Sequence, residues 1–308
     1  MKSNQLKLFT FVIAFLLIHS NTSAQKKLYA TIEYPSELKL FSKLSKKVNE
    51  SSGVILYQDC IWTFNDSGGE PELYKTDKKT GKVIKTVRII NGTNHDWEDI
   101  TQDDEYIYVG DFGNNRGNRK NLAIYKILKK DIGKGEKVDV NAEIISFSYN
   151  DQQSFEMKRQ KNNFDCEAIT GYGDSLIIFS KDWADRKSRM YKLPKVPGDY
   201  KIDPVDVFNV NGLITGADYN SSTGDLILVG YKDYVPFVFL FNGFYGNDFA
   251  AAKIFRINFP AMKDAQTEGV VWSDDDNIVI TCEDTKAFKQ SAFQLNIREA
   301  IKQSDGEK

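Results

Sequence analysis

The chain has two histidines in 308 residues. One of them, His19, sits in a hydrophobic leader, which leaves His95 alone. A single imidazole excludes multi-histidine phosphatases and His-rich zinc centres by count, because such sites need several ring nitrogens. Cysteine is nearly as scarce, at Cys60, Cys166 and Cys282. An odd number excludes a fully paired disulfide framework, and each cysteine lies beside or within an apolar run, so all three read as small buried hydrophobes. After residue 24 no apolar run approaches the roughly 20 residues of a membrane-crossing helix, so no integral membrane segment is expected. Charge of one sign is not in large excess either: the net is −2, moving to about −4 once Lys2 and Lys7 of the leader are set aside. A nucleic-acid partner needs a concentrated basic surface, so none is expected.

What is present begins with that leader, "MKSNQLKLFTFVIAFLLIHSNTSAQKK". Two lysines precede an apolar run from Leu8 to Ile18, and Thr22 and Ala24 occupy small-residue cleavage positions. This predicts a signal peptide over residues 1–24 and an exported protein starting near Gln25, periplasmic or secreted from a Gram-negative bacterium. No cysteine near the cleavage site offers a lipid anchor. Residues 25–308 read as one monomeric domain.

Five segments repeat one pattern of apolar strand, tight turn and second strand ending in a polar residue: "SSGVILYQDCIWTFND", "WEDITQDDEYIYVGD", "CEAITGYGDSLIIFSK", "TGADYNSSTGDLILVGY" and "EGVVWSDDDNIVITCE". The distance from head to tail residue stays between 13 and 15, running from Ser52 to Asp66, Glu98 to Asp111, Glu167 to Lys181, Gly216 to Tyr231 and Glu268 to Glu283. One or two further β-type runs follow each hairpin, rich in branched and aromatic residues and punctuated by Gly, Asn, Asp and Ser. Four strands per unit, with units about 45 to 70 residues apart, predict an all-β fold, a β-propeller of five four-stranded blades, with six as the alternative. The last unit lacks a fourth strand, and "KLYATIEY" near the N-terminus is expected to supply it and close the ring, which removes open sheet edges. In "SELKLFSKLSKKVNE", Leu38, Leu40, Phe41 and Leu44 approximate one helical face and predict a short amphipathic helix capping the ring.

The phrases "WTFNDSGGEPELYKTDKKTGKV", "DWEDITQDDEYIYVGDFGNN", "DCEAITGYGDSLIIFSKD" and "EGVVWSDDDNIVITCED" resemble a group of exported bacterial β-propeller proteins found especially among Bacteroidetes. The resemblance implies a propeller fold and an extracytoplasmic location, and no particular activity. "TEGVVW" is more distantly similar to the Glu-Gly-Pro-x-Trp opening of the gluconolactonase-type calcium hydrolases. That likeness implies a metal-ligand role for Glu268, although the proline is missing here. Propeller phytase-like and esterase-like proteins share the exported, acid-rich plan. Where the Bacteroidetes group commonly has Gly-Asp-Asn after the second blade's aspartate, this chain has Gly113, Asn114 and Asn115.

In a propeller the first strand of each blade lines the axis, and the connection leaving the second strand lies at one mouth of the channel. Head and tail residues therefore converge: Glu98, Glu167 and Glu268 as heads, with Asp66, Asp111, Lys181, Tyr231 and Glu283 as tails. Converging carboxylates repel unless a cation, a lysine or protonation relieves them. Lys181 is the one basic residue in the rings, and Ca²⁺ suits an oxygen-rich, histidine-poor site. Glu98, Asp111, Glu167 and Glu268 are the candidate metal ligands, and Glu98, Glu167, Lys181 and Glu268 the candidates for chemistry. Trp183, a large aromatic in the charged turn "KDWADRKSR", is a candidate cleft floor. Each acid taken singly has a competing role as a turn cap or a strut between blades. The expected ligand is a small polar molecule or divalent cation, with two alternatives: a calcium-assisted hydrolase of a lactone or phosphoester, or a protein- or glycan-binding module.

Overall fold

The computed structural model describes residues 29–246 and 248–306, so the leader peptide lies outside the described residues. Among the described residues five sheets stand around one axis, and the four blade strands of each pair antiparallel. Blade 1 runs through Ser51–Tyr57, Cys60–Asn65, Glu72–Thr76 and Val83–Ile89. Blade 2 is Trp97–Gln102, Tyr106–Asp111, Leu122–Leu128 and Glu143–Tyr149, and blade 3 is Cys166–Tyr172, Ser175–Ser180, Ser188–Pro194 and Pro204–Phe208. Blade 4 is Leu213–Asn220, Asp225–Lys232, Val235–Asn242 and Lys253–Asn258, and blade 5 begins Thr267–Trp272, Asn277–Cys282 and Ser291–Asn296. The five innermost strands contact one another in a closed circle.

Closure differs in detail from the sequence reading. The fourth strand of blade 5 is Lys39–Lys43, antiparallel to Ser291–Asn296. The segment read as an amphipathic helix is thus the closing strand, followed by a single 3-10 turn at Lys46–Val48. Its apolar spacing suits either conformation, and the open edge of a three-stranded blade decides for the strand because backbone groups there need partners. "KLYATIEY" instead contributes Ala30–Glu33, which lies parallel on the outer edge of blade 4. Two other outer edges gain a parallel strand in the same way, Lys137–Val140 on blade 1 and Gly198–Ile202 on blade 2.

Each interface between neighbouring blades holds its own apolar core. Ile55, Phe64 and Trp97 join blades 1 and 2, whereas Phe112, Ile169 and Tyr191 join blades 2 and 3. Phe179, Phe208, Phe239 and Phe241 join blades 3 and 4. Val229, Val270 and Trp272 join blades 4 and 5, and Val54, Tyr74 and Val271 bridge the seam between blades 5 and 1. Burial of such a side chain contributes roughly 1.5–3 kcal/mol, so the ring is held by packing at five seams, of which the one between blades 5 and 1 has the smallest core. Cys166 and Cys282 are buried, Cys60 is half-buried, and all three are free thiols. No helix among the described residues is long and apolar enough to cross a membrane.

Candidate functional site

Every innermost strand carries a β-bulge near its start. Pairing skips between Ser51 and Val54, Trp97 and Asp99, Cys166 and Ala168, Ile214 and Gly216, and Thr267 and Val270. A bulge re-aims the side chain it leaves out of the ladder. The residues so released are Ser52, Glu98, Glu167, Thr215 and Glu268, so the head of blade 4 is Thr215. The two hydroxyl heads are structural: Ser52 Oγ donates to the Glu98 carbonyl (2.5 Å) and Thr215 Oγ1 to the Thr267 carbonyl (2.8 Å). Three carboxylate heads remain, all lining a cavity of about 1290 Å³ at the mouth of the axis.

The same register places the tails. The residues following the second-strand partners are Asp66, Phe112, Lys181, Tyr231 and Glu283. Asp66, Lys181 and Tyr231 line the cavity, as does Trp183. Asp111 falls one residue early: it sits in the ladder opposite Trp97 and accepts from Arg119 Nη2 (2.8 Å) and the Asp96 amide (3.1 Å). Its place at the tail is taken by Phe112, packed against Phe147. The head-to-tail spacing of 13 in blade 2, the shortest of the five, was the signal for this offset. Glu283 lies behind the wall beside Glu268, its amide bonded to the Gln266 carbonyl (3.0 Å).

Two further acids belong to the site, Asp96 and Asp165. Each stands two residues ahead of a head glutamate, in "DWE" and "DCE", and this repeated Asp-x-Glu was legible in the sequence. Asp66, Asp96 and Glu98 can bring carboxylate oxygens within 4.8 Å of one another, and so can Glu98, Asp165 and Glu167. Asp165 is already engaged, with one oxygen accepting from the Asn114 amide (2.5 Å) and the other from Trp183 Nε1 (2.6 Å). Lys181 Nζ donates to Glu167 Oε2 (3.0 Å) and lies 5.1 Å and 5.5 Å from the ring centres of Trp183 and Tyr231. Among the described residues Glu167 Oε1 is buried and no N–H or hydroxyl group donates to it, and its other close neighbours are the carboxyls of Glu98 and Asp165. His95, at the cavity edge, bonds Thr93 Oγ1 (2.8 Å) and Asp111 Oδ2 (3.2 Å).

Six carboxyls thus face one ammonium. Burial disfavours the Lys181 ammonium, but the carboxylates of Glu167, Glu268 and Asp165 outweigh it and hold its pKa well above the usual lysine value. Burial pushes Glu98 well above the ordinary glutamate range, and repulsion from Glu167, Asp66 and Asp96 adds to it. For the same two reasons, burial and neighbouring acids, Asp66 and Asp96 are pushed up to about 6. Glu268 is raised by burial to about 7 against the pull of Lys181, and Glu283 to about 9 by burial and then Glu268. The arrangement can bind a hard cation through oxygen, and it holds carboxyls that exchange protons near neutral pH.

No protein-family model matches the chain, and no curated protein matches it. Among solved structures it is similar to the PQQ-bound aldose sugar dehydrogenase of Streptomyces coelicolor, with a TM-score of 0.52 and 11% identity over 85% of this chain and 99% of that one. A candidate glycosidase from Bacteroides thetaiotaomicron (TM-score 0.43, 9% identity, 86% of this chain and 96% of that one) and a candidate 6-phosphogluconolactonase from Bacteroides fragilis (0.41, 15%, 82% and 68%) are also similar. The first of these likenesses shows the β-propeller fold and nothing finer. The resemblance to the Bacteroidetes group finds no counterpart among them.

Proposed function

We propose that the protein is an exported, monomeric β-propeller that binds a small polar ligand in its axial cavity with the help of a divalent cation, Ca²⁺, held at Glu98, which shares one carboxylate trio with Asp66 and Asp96 and another with Asp165 and Glu167. The observation that carries this reading is Glu167 Oε1, a buried acceptor beside Glu98 to which no N–H or hydroxyl group donates among the described residues. An unpaired buried acceptor costs roughly 1–3 kcal/mol, and a cation at that point offsets both this cost and the repulsion among the acids. Glu98 belongs to both carboxylate trios, so it would be the central ligand. Ca²⁺ takes six to eight oxygens, which leaves positions for water and for hydroxyl or carbonyl groups of the ligand. Asp111, held by Arg119, drops out of the ligand set, and Glu268 is left to exchange protons. Calorimetric titration of CaCl₂ into chelator-treated protein is the test. Binding should be seen in the wild type and be weakened at least tenfold in Glu98→Gln and Glu167→Gln. Equal affinity in those variants, or no binding at all, would refute the cation site and leave a protein- or glycan-binding module working through its loops.

A calcium-assisted hydrolase of a lactone or phosphoester is the second reading. The Glu268 carboxyl, held at about 7 by burial, favours it, because a general acid or base works best with its pKa near the working pH. Lys181 would then stabilise a developing oxyanion. Hydrolysis of a lactone or phosphomonoester panel should depend on Glu268, and Glu268→Gln should remove the limb of the pH profile near 7. Activity unchanged in that variant would sink this reading.

A further inference from the structure

We propose that the ligand of the axial cavity carries an oxyanion, and that Arg116, Arg159 and Arg186 hold it at the mouth. The proposal deepens the reading of this cavity as a ligand site and rests on it. The chain has eight arginines. Five are engaged: Arg88 with Asp139, Arg119 with Asp111, Arg189 with Asp182 and Asp185, Arg256 with the Val210 carbonyl and Asn258, and Arg298 with Asp225. The three guanidiniums left without a hydrogen-bond or ion-pair partner among the described residues are Arg116, Arg159 and Arg186, and all three line this one cavity.

Their loops are tied together, which fixes the three positions relative to one another. The Lys158 amide donates to the Arg116 carbonyl (2.8 Å) and the Gln160 amide to the Asn115 carbonyl (2.8 Å), while the Ala184 amide donates to the Asn162 carbonyl (3.3 Å). Asn162 Nδ2 adds a bond to the Asn115 carbonyl (3.2 Å). Gln160 and Arg186 are held at φ 53° and 58°, a left-handed backbone that ordinary residues adopt at a cost and that concentrates at binding sites. The Arg186 guanidinium stands 5.9 Å from the Trp183 ring, whose indole nitrogen is pinned to Asp165.

Arginine presents a rigid fork of N–H donors that matches phosphate, sulfate and carboxylate oxygens. The polarity of the cavity therefore runs from unpaired guanidiniums on the blade 2 and blade 3 side of the mouth to a carboxylate floor that favours hydroxyls or a cation. The blade 4 and blade 5 loops of the mouth carry Asp233 and Asp264 beside Lys232 and Lys286, and Lys232 already donates to Asn211 Oδ1 (3.0 Å), so the three unpaired guanidiniums are the densest set of anion donors at the mouth. The ligand class that fits both ends is a polyol bearing an oxyanion, such as an acidic or phosphorylated sugar.

Calorimetry on the purified protein, chelated and calcium-loaded, with inorganic phosphate, sulfate, gluconate and glucose as separate probes, tests this. At least one oxyanion should bind more tightly than glucose, with phosphate and sulfate against gluconate separating a phosphorylated from a carboxylated ligand. The combined variant Arg116→Ala, Arg159→Ala, Arg186→Ala should weaken that binding at least tenfold. The three side chains are solvent-facing, so the variant should unfold at the wild-type temperature and bind calcium as well as the wild type does. Undiminished anion binding in the variant, or no oxyanion binding by the wild type, would overturn the proposal. If oxyanions bind through the arginines and calcium does not bind, the cation reading fails while this one stands.

Discussion

Glu98 and Asp99 are neighbours in sequence with opposite roles. Glu98 is pushed out of the ladder by a bulge and faces the cavity, whereas Asp99 stays buried and accepts from the amides of Ile100 (2.8 Å), Ile169 (2.9 Å) and Ala217 (3.3 Å). Those amides belong to blades 2, 3 and 4, so one carboxylate ties three blades at the axis. Asp218 does the same on a smaller scale, accepting from the Trp272 amide of blade 5 (2.9 Å). Asp99→Ala is predicted to destabilise the fold by on the order of 3 kcal/mol, because it strands buried donors; chemical denaturation measures it. Glu98→Gln should do the reverse in chelated protein at pH 8, raising the unfolding temperature by about 2 °C through relief of repulsion. A fall in that temperature would mean that Glu98 is a strut after all. The place of Glu98 in the repeat, level with Glu167 and Glu268, marks it as the acid that faces the axis, whereas the strut role of Asp99 is hidden in "DWED", since one bulge shifts the alternation by one residue.

At the scale of the strand, the inner strands approach more closely than side chains allow. A Cβ on Gly53 would lie 2.6 Å from the Ile100 amide nitrogen and 2.7 Å from Asp99 Oδ1, and one on Gly216 would lie 2.4 Å from the Glu268 carbonyl. Gly53→Ala is predicted to cost about 2 kcal/mol, visible as a lower denaturation midpoint with unchanged slope. An unaffected midpoint would show that the axis can widen. The repeat of hairpins, their order and the blade count were legible because a constant spacing of strand pairs is a strong signal. The closing strand was not, because Leu38 to Leu44 has apolar spacing that fits a helix face, and only the unfilled edge of blade 5 chooses. The terminal helix Ile297–Gly306 was also missed, though Asn296 caps it by accepting from the Glu299 amide (2.9 Å) and the Asn-x-x-Glu spacing is a recognised start signal.

For the whole molecule, the balance of the site's six carboxyls, and of Glu283 behind its wall, against Lys181 makes stability depend on pH. The carboxyls of Asp66, Asp96, Glu268 and Glu283 have folded values of about 6, 6, 7 and 9, above ordinary values near 4. A raised acid binds its proton more tightly when folded, so its contribution is fully present below about pH 4 and is lost as pH rises through 6 to 9. Chelated protein is therefore predicted to be more stable at pH 5.5 than at pH 8.5. Calcium favours the ionised carboxylates and should bind more tightly at the higher pH. The acidic cavity was legible from paired head and tail residues, but the arginine mouth was not, since Arg116, Arg159 and Arg186 lie in loops outside the repeat and meet only in three dimensions.

Thermal unfolding at pH 8.5, after chelation and again with calcium at about a hundred times its dissociation constant, tests the axial cation site most directly. A ligand bound only to the folded state then adds roughly 2.7 kcal/mol, which for a domain of this size is a rise of about 5 °C, and the rise should shrink at pH 5.5 and vanish in Glu98→Gln. The same unfolding temperature with and without calcium at pH 8.5 would contradict the site and leave the acids balanced by protons and Lys181 alone.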